Sequence, residues 1–353
     1  MKNVLKLFAS LAILGCSPAA HSIPAPATVA ATTEDPINES DVQRILSTLA
    51  ADSMEGRLTG TRGADKAASF IAAEMKAIGL EPGGDNGTYM QKVPFSSVTS
   101  AGGRERLRLL DSLGALDAVP EASRRISYNV IGIMRGADPA LSKEVVAFAA
   151  HYDHVGIGAP VNGDSIYNGA DDDASGVTTV LEIARSLAKG PPPKRTILFM
   201  TTTGEEQGVL GTTWYVAHPT FPLSRMVAEM EVEMAGRPDS IAGGRGKLWM
   251  TGYERSTMGN MLKEAGLPIV PDPYPQYRFF ERSDNIVFAK RGIPAHTLSS
   301  YNLHTDYHQP SDEVSRIDFP HLTMIARAAA SAARLLANGP APVWNPGGQP
   351  QPR

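Results

Sequence analysis

Beyond residue 125 the chain alternates short apolar runs with longer stretches that carry apolar residues on one helical face. Residues 128–134, 145–150 and 195–203 are runs of strand length, and V-V-A-F-A-A at 145–150 contains no polar residue. Uninterrupted runs of this kind predict strands buried on both faces. Between them, Val177, Val180, Leu181, Ala184 and Leu187 recur at helical spacing within 174–187. The rhythm continues with a helix over 207–216, a strand over 226–234, helices over 253–265 and 283–290, a strand over 294–298 and a helix over 319–337. Alternation of buried strands and helices predicts an α/β protein with a doubly wound, mixed and mostly parallel sheet. In such sheets ligands bind beyond the carboxyl ends of the strands.

The first third is less regular. Ser40 reads as the N-cap of a short helix with Val42, Ile45, Leu46 and Leu49 on one face. A Gly-rich polar loop spans 51–63, and a helix follows with Ala67, Phe70, Ile71, Met75 and Ile78 at helical spacing and Gly79 as its C-cap. Residues 80–93 lead into an edge strand, and 96–125 hold one short strand near 107–110.

Composition changes little in this picture. The 353 residues have 42% hydrophobic content and a formal net charge of -4, which gives no electrostatic case for nucleic acid. The N-terminus reads as a targeting segment: Lys2 and Lys6 flank the start of an apolar run over 7–14 that is too short to span a bilayer. The run ends in Ile13-Leu14-Gly15-Cys16, with the single cysteine of the chain. This resembles a bacterial lipoprotein signal over 1–16, in which Cys16 becomes the lipidated first residue. A plain secretory signal cut near 19–22 is the alternative. Either way the expectation is an exported protein, periplasmic and anchored to the outer membrane, or else secreted. Residues 17–36 read as a flexible tether, 37–338 as the catalytic domain and 339–353 as a disordered tail.

Chemistry-bearing residues gather at the predicted strand ends. His151 and Asp153 follow the strand at 145–150, and Asp171, Asp172 and Asp173 precede the helix at 174–187. Glu205 and Glu206 follow the strand at 195–203, Glu233 lies near the end of the strand at 226–234, and His304 and His308 follow the strand at 294–298. Singly, each has an ordinary reading: a helix cap, a solvated loop, a core or surface histidine. Together at one sheet edge the carboxylates would repel one another unless a cation neutralised them. Imidazole and carboxylate without thiolate suit zinc or a similar divalent ion.

Four ordered motifs, H-Y-D-H, N-G-A-D-D-D-A-S-G, T-G-E-E-Q-G-V-L-G and Y-H-Q-P-S-D-E, resemble the co-catalytic zinc aminopeptidases of the bacterial leucyl aminopeptidase and aminopeptidase S type. That family also contains glutamate carboxypeptidase II and glutaminyl cyclases. The resemblance runs over about 40–337 and includes L-A-A-D-S-M-E-G-R-L-T-G-T-R-G near the start. It implies a three-layer α/β/α sandwich and two zinc ions. It makes His151 a ligand of one zinc and His308 and Glu206 ligands of the other, with Asp172 bridging both and a cis peptide bond joining Asp172 to Asp173. Glu233 falls where most members have Asp, and Glu231, on the same strand face, competes for that role. Glu205 resembles the general base, and Asp153 the carboxylate that orients the His151 imidazole. A water activated by two zincs would give its proton to Glu205 and then to the leaving amine.

The remaining residues are less constrained. His304 is assigned to the substrate side or to a supporting role, with a purely structural role as its alternative, and His154 is set behind the others as a functional candidate. His218, His296 and His321 read as structural or exposed. Some relatives place an oxyanion-binding tyrosine before the Ser283-Asp284 pair. Here that stretch reads Arg278-Phe279-Phe280-Glu281-Arg282, so oxyanion stabilisation is expected from the metals alone, with Tyr277 close but unmatched. Residues 96–125 are too few for a protease-associated domain, which implies an open substrate entrance.

The resulting expectation is an aminopeptidase acting on the N-termini of peptides, with a membrane link only through lipid at Cys16. A carboxypeptidase or another amidohydrolase of the family is the alternative. Glutaminyl cyclase fits less well, because it works with one zinc and five ligand positions are present. An inactive peptide-binding lipoprotein is disfavoured by the retention of Glu205 and every ligand position.

Overall fold

A computed structural model describes residues 36–99 and 105–351. The signal segment, Cys16 and the tether up to residue 35 lie outside the described residues. In chain order the strands are β1 (Glu81–Pro82), β2 (Met90–Thr99), β3 (Glu105–Leu109), β4 (Arg124–Met134), β5 (Val145–His151) and β6 (Gly156–Val161). Then come β7 (Asp164–Tyr167), β8 (Thr196–Thr202), β9 (Met226–Val232), β10 (Leu248–Met250), β11 (Ile269–Pro271) and β12 (Ala295–Ser299). The helices are α1 (Glu39–Leu49), α2 (Arg62–Ile78), α3 (Gly176–Ala188), α4 (Leu210–Ala217), α5 (Met258–Glu264), α6 (Asn285–Ala289) and α7 (Phe319–Asn338).

One sheet runs in the order β11-β10-β12-β9-β5-β8-β4-β2-β3, with β1 paired to β4. Its centre, β12-β9-β5-β8, is parallel. Antiparallel pairs flank it, β4 with β8 on one side and β10 with β12 on the other. Every residue of β5 is buried, as an apolar run with helices on both sides requires. Its even positions, Val146, Phe148 and Ala150, join the larger core with α1, α2, α3, α5 and α7. Its odd positions, Val145, Ala147 and Ala149, join a second core with α4 and α6. The chain is therefore a three-layer sandwich with a parallel centre.

The differences from the sequence reading are local. Asn38, not Ser40, caps α1: its side chain accepts the Asp41 N–H at 2.9 Å. β2 is covered by β3 and is not an edge. The stretch between His154 and Asn168 pairs into the β6-β7 hairpin. α3 begins at Gly176 because residues 170–175 wind more widely, with Asp172 and Asp173 outside helical geometry; the bond between those two is cis. The tail expected to be disordered from 339 instead packs onto the body as far as residue 351. Trp344 anchors it, bridging to Ser256, donating to the Gly292 carbonyl at 2.9 Å and packing against Phe280 and His296. Proline and glycine content indicates the absence of regular structure, and the Trp344 ring together with hydrogen bonds from Val343 and Asn345 to residues 254–257 docks such a segment.

Candidate metal centre and active site

Parallel strands that end at one edge bring together side chains far apart in sequence. β5 ends at His151, with Asp153 and His154 in the turn beyond. The loop after β8 holds Glu205 and Glu206, Glu233 follows β9, and His308 stands in the loop after β12. Asp172 enters from the wide turn before α3.

These residues form two groups that share Asp172. One comprises His154, Asp172, Glu206 and His308, the other His151, Asp172 and Glu233; within each group the ligand atoms lie within 4.8 Å of one another. His308 Nε2 is 3.1 Å from Asp172 Oδ2 and 3.0 Å from Glu206 Oε2. His151 Nε2 is 3.3 Å from Asp172 Oδ1. Nε2 of His151, His154 and His308 and Oδ2 of Asp172 are buried atoms without a hydrogen-bond partner. Buried polar atoms are ordinarily satisfied. His151 Nε2 and His308 Nε2 face the Asp172 carboxylate, and His154 faces it and Glu206 through Nδ1, so oxygen and imidazole donors gather there in a set that fits divalent metal ions of the zinc type.

The electrostatics agree. Burial pushes the Glu205 carboxyl well above its usual range, with His151 opposing and Glu233 and Glu206 adding to the rise. Burial likewise raises Glu233 to about 7, only partly offset by His151. At His308 burial acts downward, but the carboxylates of Asp172 and Glu206 outweigh it and raise the imidazole to about 10. Asp172 is also buried, yet its histidine neighbours hold it well below the carboxylate range. Cations in the two groups would favour ionised carboxylates and neutral imidazoles.

The other candidates fall around these groups. Asp153 lies beside His151, whose Nδ1 is 3.2 Å from the Asp153 carbonyl and 3.8 Å from its carboxylate. The Asp153 carboxylate instead accepts the Thr59 hydroxyl at 2.9 Å and the Glu205 N–H at 3.1 Å, so it fixes the loop that carries Glu205. Glu231 stays apart from both groups, accepting the Asn285 N–H at 2.9 Å. His304 is not among the residues lining the cavity. Its Nε2 lies 3.0 Å from Asp171, and its ring packs edge-on against Tyr301.

A cavity of about 240 Å³ opens over the two groups. Asp172, Glu205 and Glu233 form its floor, and Trp249, Tyr277, Phe279, Tyr301, Leu303 and Tyr307 much of its wall. The wall rings stack on one another: Trp249 on Phe279 at 5.4 Å and Tyr277 on Phe279 at 5.5 Å.

Residues 129–333 match the model of Peptidase family M28. The chain belongs to that family. It is 25% identical over 314 residues to a probable leucine aminopeptidase 2 of Aspergillus fumigatus, covering 82% of this chain and 57% of that one. It is 27% identical over 244 residues to a leucine aminopeptidase 2 of Arthroderma otae, covering 64% and 47%. The chain thus spans about half the length of the curated relatives it matches. Among solved structures it shares the fold of a zinc aminopeptidase from Bacillus subtilis, with a TM-score of 0.63 and 18% identity over 87% of this chain and 97% of that one. A glutaminyl cyclase of Porphyromonas gingivalis has a TM-score of 0.57 and 16% identity over 85% and 98%.

In this M28 chain two residues near the centre were not legible beforehand. His154 sits in the group with Glu206, its Nδ1 3.0 Å from Glu206 Oε1. The second histidine of H-Y-D-H was the signal, but alternation along an extended segment would have turned it away from His151. Arg57 is fully buried and donates to the carbonyls of Leu49, Tyr152, Asn168 and Gly169 at 2.5–2.9 Å. It ties the His151 turn to the loop that delivers Asp172. Gly56 beside it has a φ of 64°, and a Cβ there would meet the Gly156 carbonyl oxygen at 2.5 Å.

Proposed function

We propose that this M28 chain is a zinc-dependent aminopeptidase that removes residues from the N-termini of peptides. The observation that carries this reading is the pair of ligand groups sharing Asp172 with Glu205 beside them in one cavity. The leucine aminopeptidase names of its relatives support the choice of the amino end. Zinc ions held by His154, Asp172, Glu206 and His308 and by His151, Asp172 and Glu233 would supply Lewis acidity to the scissile carbonyl and to the attacking water. Glu205 takes the proton of that water and passes it to the departing amine. Asp153 holds Glu205 in place through the backbone N–H. The aromatic wall orients the side chain of the leaving residue and keeps bulk water from it. The polypeptide is exported by its N-terminal signal and carried at the membrane by lipid on Cys16.

Free and N-acetylated forms of the same peptides, incubated with the zinc-loaded protein and read by mass spectrometry, test the reading. Stepwise loss of N-terminal residues from the free peptides only is expected, and Glu205→Gln should abolish it while retaining zinc. Equal cleavage of blocked peptides, or shortening from the carboxyl end, refutes it.

A further inference from the structure

Arg282 stands out among the arginines near the cavity. Arg278 pairs with Glu281, and Arg255 donates to the Gly348 carbonyl at 3.1 Å. Arg282 lines the cavity itself, with its guanidinium 5.2 Å from the centre of the Phe279 ring. Among the described residues no carboxylate lies within 4 Å of it. The other charged residues lining the cavity, Asp172, Glu205 and Glu233, belong to the metal floor. A guanidinium laid on an aromatic face keeps its N–H edge free and in a fixed plane, which suits a carboxylate.

The dimensions narrow the ligand. Arg282 and the metal floor of Asp172, Glu205 and Glu233 line one cavity of about 240 Å³, the scale of a small bound ligand. A carboxylate that reaches Arg282 from a peptide bound there must lie close to the scissile bond. We infer that Arg282 is a specificity-determining residue that binds a carboxylate of the substrate, directing the enzyme toward dipeptides with a free C-terminus or peptides with an acidic second residue. The inference rests on the aminopeptidase reading for its choice of substrate, and on the cavity alone for the carboxylate contact.

The test compares Leu-Leu with its C-terminal amide, and Leu-Glu-amide with Leu-Gln-amide, in wild type and Arg282→Gln. An Arg–carboxylate contact at an exposed residue predicts up to about a fivefold preference in kcat/KM for the charged member of a pair. Arg282→Gln should erase that preference and leave the uncharged peptides within about twofold. Loss confined to Leu-Leu assigns the contact to the terminal carboxylate, and loss confined to Leu-Glu-amide assigns it to the side chain. Equal rates within both pairs in wild type, or a preference that survives Arg282→Gln, overturn the inference while the aminopeptidase reading stands. Calorimetric binding of the same peptides to zinc-loaded Glu205→Gln, with and without Arg282→Gln, separates the opposite case. Charge-selective binding that needs Arg282, without hydrolysis by wild type, refutes the aminopeptidase reading and keeps the contact, whereas no binding of either pair overturns both.

Discussion

The floor and the wall of the cavity are built on opposite principles. The floor consists of polar side chains at the ends of parallel strands and in the turn before α3, and Glu205 and Asp172 are fixed by groups behind them. Asp153 holds the Glu205 backbone, Arg57 holds the two loops that meet at Asp172, and Asp312 accepts the Asp171 and Asp172 N–H groups while Arg237 pairs with it at 2.7 Å. The wall consists of rings from β10 and from the loops beyond β11 and β12, held by stacking. Metal chemistry needs ligand atoms placed to within a fraction of an ångström, whereas recognition of an apolar side chain needs only shape and area. Replacements in the floor should therefore cost far more than replacements in the wall.

Substitutions at four positions probe that contrast. Asp172→Asn removes charge from both ligand groups at once. Transition-state stabilisation of several kcal/mol depends on them, so hydrolysis should drop by about a thousandfold or more in a peptide assay, with circular dichroism unchanged. Arg57→Met leaves buried carbonyls without their donor, and urea unfolding should show a loss of about 3 kcal/mol.

His321 tests the support of the wall. Burial lowers its pKa to about 4 from 6.5, and its ring meets the Gly246 N–H at 2.9 Å and Ser300 Oγ at 3.0 Å. The unfolded chain takes up a proton near pH 6.5 that the folded chain refuses until about pH 4. This contribution to stability is full above pH 6.5 and falls as the pH drops toward 4. Unfolding measured at pH 7 and pH 5 should show wild type losing up to ~1.4 kcal/mol per pH unit more than His321→Gln.

The smallest effect is expected at Tyr277, which is 45% exposed. Tyr277→Ala should raise KM about fivefold for peptides with apolar termini, in keeping with the loss of one partly buried ring. Tyr277→Phe should leave kcat within about twofold, since no oxyanion contact is assigned to its hydroxyl. A kcat loss at Tyr277→Phe that rivals Asp172→Asn would erase the division between floor and wall.

The same division explains what could be read from the chain beforehand. Strand-end positions are dictated by apolar runs such as 145–150, so residues just beyond them have to meet at one edge, wherever the loops run. The motifs themselves placed Asp172 and His308. His154 and Arg57 escaped because their directions are set by turns: Glu55, Gly56 and Arg57 all have positive φ, which no periodicity announces. Of the wall, the sequence marks 249–253 and 271–280 as pocket-lining loops, but not how their rings meet. Trp249 lies in β10 and Tyr301 just beyond its neighbour β12, yet the two meet Phe279 only because the loop between β11 and α6 folds across them. The docked tail shows the same limit, since the contacts of Trp344 lie more than 45 residues away in sequence.

The shared role of Asp172 is the claim on which the floor depends, and calorimetric titration of the metal-stripped protein with zinc tests it most directly. Two equivalents per chain are expected in wild type, with both weakened in Asp172→Asn because one carboxylate serves both groups. Saturation at one equivalent, or a titration that Asp172→Asn leaves unchanged, would contradict it.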